Sequence, residues 1–172
     1  MLDIMDALTL LNAKLKLARK SYILYICGGA ALNLLGYDSR MTDDVDVLMD
    51  YVEEDLSDIV EEVASELGLN PRWLNAQAYP LVRSFPTNWQ AQADEVLNLS
   101  NLRVLSVERQ LLINTKLRAA VNRQEEDSED LIWLKAKMEE LQTAKAYVLD
   151  SGFLGPVEVI DAEIKYILSG SE

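Results

Sequence analysis

An apolar run, Tyr22-Ile23-Leu24-Tyr25-Ile26-Cys27, stops at Gly28-Gly29 and passes directly into Ala30-Ala31-Leu32-Asn33-Leu34-Leu35-Gly36. A short run rich in aromatic and β-branched residues and bounded by glycine reads as a buried strand. The chain is therefore predicted to leave a strand over Tyr22–Cys27, turn at the two glycines, and enter a helix over residues 28–35 that Gly36 closes. Backbone at such a turn comes close to a ligand, and the N–H groups at the start of the helix favour an anion such as phosphate.

The next strand follows at once. Arg40-Met41-Thr42-Asp43-Asp44-Val45-Asp46-Val47-Leu48 predicts a strand over residues 43–49. Alternate residues of a strand share a face, so Asp44 and Asp46 project together while Val45 and Val47 turn to the core. Two carboxylates at this spacing repel each other unless a cation lies between them, and Mg²⁺ suits oxygen ligands shared with substrate phosphates. Aspartate is depleted in strands, so a pair on one face of a valine-containing strand calls for a reason. Arg40 is placed to steady the acidic strand or to reach a phosphate, and Thr42 to bond the turn backbone.

Composition removes many alternatives. The 172 residues hold no histidine, which excludes histidine zinc sites, histidine general bases and every triad that needs one. The single cysteine, Cys27, allows no intramolecular disulfide and fits a reducing, cytoplasmic setting. No apolar run approaches a membrane span, and the N-terminal segment reads as an amphipathic helix rather than a signal peptide. A net charge of −13 argues against a broad nucleic-acid surface, which needs clustered Lys and Arg.

The charges are unevenly spread. Residues 41–70 carry eleven acids and no Lys or Arg, whereas Arg103, Arg109, Lys116, Arg118 and Arg123 share a stretch whose only acid is Glu108. On a helix, Arg109, Lys116 and Arg123 recur every seven residues and form one stripe between Ile113 and Ala120 on one side and Leu112 and Ala119 on the other, with Arg118 turned to solvent. A basic stripe bordering an apolar face either pairs with buried acids or faces an anion. The acids of residues 53–66 read more simply as the solvated face of a helix.

The remaining elements follow from periodicity and punctuation. Helices are predicted over residues 1–20, 53–67, 107–122, 128–141, 143–151 and 157–168, with a short helix over 90–97. A strand is predicted over residues 102–105, and residues 72–87, with Pro80 and Pro86, read as mostly loop or short helix. Trp73, after Pro71, reads as packing rather than base stacking, and Asn75 as a residue placed to orient a loop; Asp127 reads as the N-cap of the helix starting at Ser128, with Asp130 in a capping-box position. The sum is an α+β fold, a small mixed sheet packed with helices and followed by a helical C-terminal part, divided as a core over residues 1–106 and a helical subdomain over 107–172 packed on it.

Gly28-Gly29 followed by Arg40-x-Thr42-x-Asp44-Val45-Asp46 resembles the polymerase-beta-type nucleotidyltransferase superfamily. Trp73-Leu74-Asn75, Leu102-Arg103-Val104-Leu105-Ser106, and Lys116-Leu117-Arg118-Ala119 with Arg123, Asp127 and Asp130 are similar to uncharacterised bacterial nucleotidyltransferase-like proteins and to the nucleotidyltransferase toxins of abortive-infection toxin–antitoxin pairs. The resemblance spans residues 22–134. It implies a minimal nucleotidyltransferase core, catalytic Asp44, Asp46 and Lys116, metal ligands Asp44 and Asp46 for Mg²⁺, and nucleotide-binding Gly28, Gly29, Arg40, Thr42, Lys116 and Arg123. Asp127 and Asp130 then stand as partners for Arg123 or Lys116.

The implied activity is Mg²⁺-dependent transfer of a nucleotide from a nucleoside triphosphate to a hydroxyl on a protein, a tRNA or a small molecule, in a toxin–antitoxin setting with a partner protein. The alternative is a catalytically degenerate fold acting as an interaction or antitoxin-like protein. The chain departs from the superfamily in one respect. Its enzymes add a third carboxylate from a neighbouring strand, and here only Asp94 and Glu95 stand between Asn70 and Asn101.

Overall fold

A computed structural model describes residues 3–37, 42–123 and 126–171, the side chains of residues 123 and 126 apart. Arg40 and the side chain of Arg123 lie outside the described residues. Contacts divide the chain into two compact units, residues 3–36 with 42–107 and Tyr37 with residues 108–171.

The first unit runs α1 (Ile4–Leu17), β1 (Tyr22–Cys27), α2 (Gly28–Leu34), β2 (Val45–Val47), α3 (Glu54–Leu67), β3 (Leu74–Asn75), β4 (Asp94–Asn98) and β5 (Leu102–Ser106). Two short 3₁₀ helices, Tyr79–Ser84 and Trp89–Gln92, lie between β3 and β4. The strands form one mixed sheet in the order β3-β2-β1-β5-β4. β1 is parallel to β5 and antiparallel to β2; β3 runs parallel to β2, and β4 antiparallel to β5.

Alternation along the strands separates two faces. Leu24, Ile26, Val45, Val47, Leu74, Leu102 and Val104 are buried, together with Leu8, Leu11 and Leu15 of α1 and Leu56, Val60 and Val63 of α3. These apolar side chains are the core of the unit, and their removal from water is its main stabilisation. The opposite face holds Ile23, 51% exposed, half-buried Tyr25, and the exposed Arg103–Glu95 ion pair. The Tyr25 ring meets Trp89 edge-on at 5.2 Å, and Trp89 meets Phe85 likewise at 5.5 Å.

The second unit packs α4 (Arg109–Arg123), α5 (Glu126–Trp133), α6 (Met138–Asp150) and α7 (Val157–Gly170) around Leu112, Ile113, Leu117, Leu131, Leu141, Val148, Ile160 and Ile167. The α+β class is as the sequence predicts.

Three elements differ from expectation. The segment predicted as a helix over residues 90–97 instead forms a 3₁₀ turn and then β4, because pairing with β5 and the Arg103–Glu95 contact at 2.6 Å override a weak local preference. The segment over 72–87, read as mostly loop or short helix, holds the 3₁₀ helix Tyr79–Ser84 but also β3, seated beside β2 by the Val45 N–H donating to the Trp73 carbonyl at 2.5 Å. The helix predicted through residue 141 ends at Trp133: Lys135 takes φ +50°, Ala136 N–H reaches the Leu131 carbonyl at 3.1 Å, and Lys135 N–H reaches that of Ile132 at 2.9 Å. This is the left-handed helix stop usually marked by glycine, here made by lysine with Ala136 and Leu131 buried beneath it.

Candidate active site

The first unit assembles its polar residues around β2. Asp46 lies directly opposite Cys27 of β1 on one side and Asn75 of β3 on the other. Cys27 is the last residue before the glycine turn, so the register alone sets the acidic strand beside that turn. Gly28 has φ +74°, a conformation side chains disfavour, and a Cβ there would sit 3.2 Å from Asp46 Oδ2. A Cβ on Gly29 would sit 3.1 Å from the Thr42 Cβ. Both glycines therefore make room for residues of the acidic loop and strand, Gly28 for Asp46 and Gly29 for Thr42.

Asp44 and Asp46 are half-buried between the buried Val45 and Val47, in keeping with the predicted alternation. Asp44 is held from two directions by neutral donors. Thr42 Oγ1 lies 3.1 Å from its carbonyl and 3.3 Å from its Oδ1, and Asn75 Nδ2 donates to its Oδ2 at 3.2 Å. Asn75 is itself buried and fixed, since its Oδ1 accepts from the Gln77 N–H at 2.9 Å. Neighbouring Trp73, fully buried, donates its indole N–H to the Val60 carbonyl at 3.1 Å and so ties β3 to α3.

The donor set fits one hard cation. Two half-buried carboxylates on one strand face, one of them oriented by neutral donors, match the way Mg²⁺ takes one or two protein carboxylates and fills its shell with phosphate oxygens and water. Among the described residues no group of three or more His, Cys, Asp or Glu side chains comes together as a metal cluster. Asp94, the candidate third carboxylate, opens β4 at the far edge, with β5 and β1 between it and β2. Three strand spacings of roughly 4.8 Å put it about 14 Å away. The neighbour of Asp46 on the adjoining strand is Asn75, an amide.

Lys116 and Arg109 belong to the second unit. Lys116 is buried, with its Nζ 2.9 Å from Asp127 Oδ1 and 2.5 Å from Asp130 Oδ2. Burial alone would lower the affinity of this amine for its proton; the two carboxylates outweigh that and hold its pKa above the ordinary lysine value. Its charge is thus met inside its own unit, so burial of the ammonium does not by itself require a bound anion. Asp130 is fully buried, and its Oδ1 has no hydrogen-bond partner among the described residues. Arg109 donates through Nε and Nη2 to Glu140 at 2.7 and 3.2 Å, to the Leu134 carbonyl at 2.9 Å, and through Nη1 to the Tyr37 hydroxyl at 2.9 Å. This clasp ties α4 to α6 and to the end of α5. Arg118, expected in solvent, is half-buried and engaged.

A family model described as a nucleotidyltransferase of unknown function (DUF6036) matches residues 3–144. The chain belongs to this nucleotidyltransferase family. The matched span takes in the glycine turn, the Asp44–Asp46 strand, Asn75 and the Lys116–Asp130 pair. No curated protein and no solved structure matches the chain. Among the described residues, no helix is long and apolar enough to cross a membrane. The sequence offers Asn75 a part in orienting a loop and a place in the resemblance; its bond to the Asp44 carboxylate is what the structure adds.

Proposed function

We propose that this family member transfers a nucleotide from a nucleoside triphosphate to an acceptor hydroxyl, with Asp44 and Asp46 as the ligands of Mg²⁺. The observation that carries the reading is the register of Asp46 with Cys27, which sets an acidic strand against a glycine turn tight enough that a Gly28 Cβ would touch the Asp46 carboxylate. When bound, Mg²⁺ would supply charge neutralisation at the phosphates.

The chain's own residues do the rest by positioning. The Gly28-Gly29 turn, which opens α2 without a side-chain cap, offers close-approaching backbone to phosphate oxygens. Thr42 and Asn75 hold the Asp44 carboxylate in a fixed orientation. The acceptor oxygen bonds to the α-phosphorus, the bond from that phosphorus to the β-bridging oxygen breaks, and pyrophosphate departs. The hydroxyl proton passes to water, since the residue flanking the pair on β3 is an amide rather than a carboxylate. Placement and preorganised charge would carry most of the rate. A role within a toxin–antitoxin pair is part of the proposal on resemblance alone.

The amide at position 75 also favours the second reading, a fold that binds nucleotide without transferring it. Thermal melting and turnover together separate the two. Mg²⁺ with the right triphosphate is expected to raise the melting temperature, by about 2.7 kcal/mol of added stability at a hundredfold excess over the dissociation constant. Asp44→Asn with Asp46→Asn should abolish the Mg²⁺-dependent part. A shift without pyrophosphate release would select the binding-only reading, and no shift with any of the four triphosphates would remove both.

A further inference from the structure

The connection from β3 to β4, residues 76–93, joins the two edges of the sheet and passes the three strands between them. One contact shows on which face it does so. Leu24 and Ile26 of β1 are buried in the core, whereas Tyr25 points the other way, to the face shared by Cys27 and its cross-strand neighbour Asp46. Trp89 sits edge-on against Tyr25, and Phe85 edge-on against Trp89, both buried. The connection thus runs over the face from which the acidic pair projects. Its ends also lie at the site's end of the sheet: Asn75 pairs with Asp46, and Asp94 pairs with Ser106, which pairs with Ile26 just before the glycine turn.

Charge on that face calls for a cation. Asp44 and Asp46 would be offset by a bound Mg²⁺, which leaves the charge of the triphosphate itself unmet, and Lys116 is already engaged by Asp127 and Asp130 in the second unit. Phosphoryl transfer depends on cations that meet the phosphate oxygens. Among the described cations of the first unit, Lys14 and Lys20 pair with acids of α3, and Arg72 lines a groove with Ser57 and Glu61 of that helix, behind the sheet. Lys16 and Arg19 belong to α1 and its end, on the same core side. Arg103 shares the site face but is held by Glu95. Arg83 remains. It closes the 3₁₀ helix Tyr79–Ser84, between the Asn75 end of the connection and the Phe85–Trp89 anchor, exposed and without a hydrogen-bond or ion-pair partner among the described residues.

We infer that residues 76–93 wall the nucleotide site and that Arg83 is the cation that meets the triphosphate. The inference rests on the nucleotidyl-transfer reading above. A guanidinium suits this task because its fork of N–H donors matches phosphate oxygens two at a time. A side chain with no other partner turns to the phosphates without breaking a contact.

The test titrates the full chain calorimetrically in Mg²⁺, with the nucleoside triphosphate that gives the largest melting shift and with its monophosphate. Arg83→Ala is expected to weaken the triphosphate by about tenfold or more and the monophosphate far less. Arg83→Lys should recover part of the loss, since the charge stays and the fork goes. Arg72→Ala removes the same charge behind the sheet and should change neither affinity. Triphosphate affinity untouched by Arg83→Ala overturns the inference. So does an equal loss of triphosphate and monophosphate, or an equal loss in Arg72→Ala, which would mean that only the charge of the whole chain is felt. Failure of the underlying reading looks different: the parent shows no melting shift with any of the four triphosphates, and the inference falls with it.

Discussion

Asn75 donates its side-chain amide to the Asp44 carboxylate at 3.2 Å, from the strand position directly beside Asp46. A neutral group thus occupies the β3 flank of the acidic pair. Asn75→Asp would set three carboxylates together and remove a donor from Asp44. The metal-free variant is expected to melt lower than the parent, by about 1–2 kcal/mol of stability, through like-charge repulsion. Added Mg²⁺ should raise its melting temperature more than it raises the parent's. Equal Mg²⁺ increments in the two proteins would show that no cation sits beside residue 75.

The contact between Gly29 and Thr42 makes a second expectation. A Cβ at residue 29 would lie 3.1 Å from the Thr42 Cβ, so Gly29→Val should push Thr42 away and loosen Asp44. Overpacking of this kind costs about 1–3 kcal/mol. Thr42→Gly in the same chain should recover part of the loss, a coupling readable in a double-mutant cycle from urea unfolding. Strict additivity would mean that the two residues do not press on each other.

Lys116→Met should leave the Asp130 carboxylate buried without its counter-charge, which costs about 3–5 kcal/mol where a buried pair is broken on one side. Lys116→Met with Asp130→Leu should restore most of it. The proton linkage has a definite sign. The folded-state pKa of Lys116 is raised, so its contribution is fully present below the ordinary lysine value and disappears as pH climbs through the higher folded value. At high pH the parent should therefore lose stability that the double variant, which has no lysine to titrate at 116, keeps, so their alkaline unfolding profiles should separate there.

Arg109→Lys keeps a positive charge but loses the fork to Glu140 and the bond to the Leu134 carbonyl. The melting temperature should fall. Hydrogen bonding to Arg109 depresses the Glu140 pKa, so the parent holds this contribution above the ordinary glutamate range and loses it as pH drops through the depressed value. The gap between parent and variant should narrow in acid. A gap that stayed constant down to the acid limit would mean that Glu140 titrates normally.

The glycine turn, β1 and the alternation of Asp44 with Asp46 were legible because each is a local pattern, one apolar run and one period of two. The bond from Asn75 was not, since its partner Asp44 is 31 positions away and nothing near residue 75 announces a sheet edge. β4 was misread for a related reason. Its exposed Asp94 and Glu95 gain strand conformation only from β5 and from Arg103. Of the stripe, Lys116 is buried and Arg109 half-buried, as expected of a border to a packed face, yet the alternatives of buried acid and external anion could not be separated by period alone. Asp127 and Asp130 looked like capping residues, but α5 begins at Glu126, which leaves both inside the helix where they reach Lys116.

Glu140 accepts at once from the N-cap amide of α6, Lys137 N–H, and from the Arg109 guanidinium of α4. One carboxylate thereby joins the start of one helix to the start of another far from it in sequence. Fraying of the first turn of α6 must release Arg109, and release of Arg109 strips the Lys137 amide of its acceptor. In deuterated water the Lys137 amide should therefore exchange at the pace of α4 opening, far slower than an ordinary helix terminus, so that the corner at residues 134–137 behaves kinetically as part of the interior of its unit.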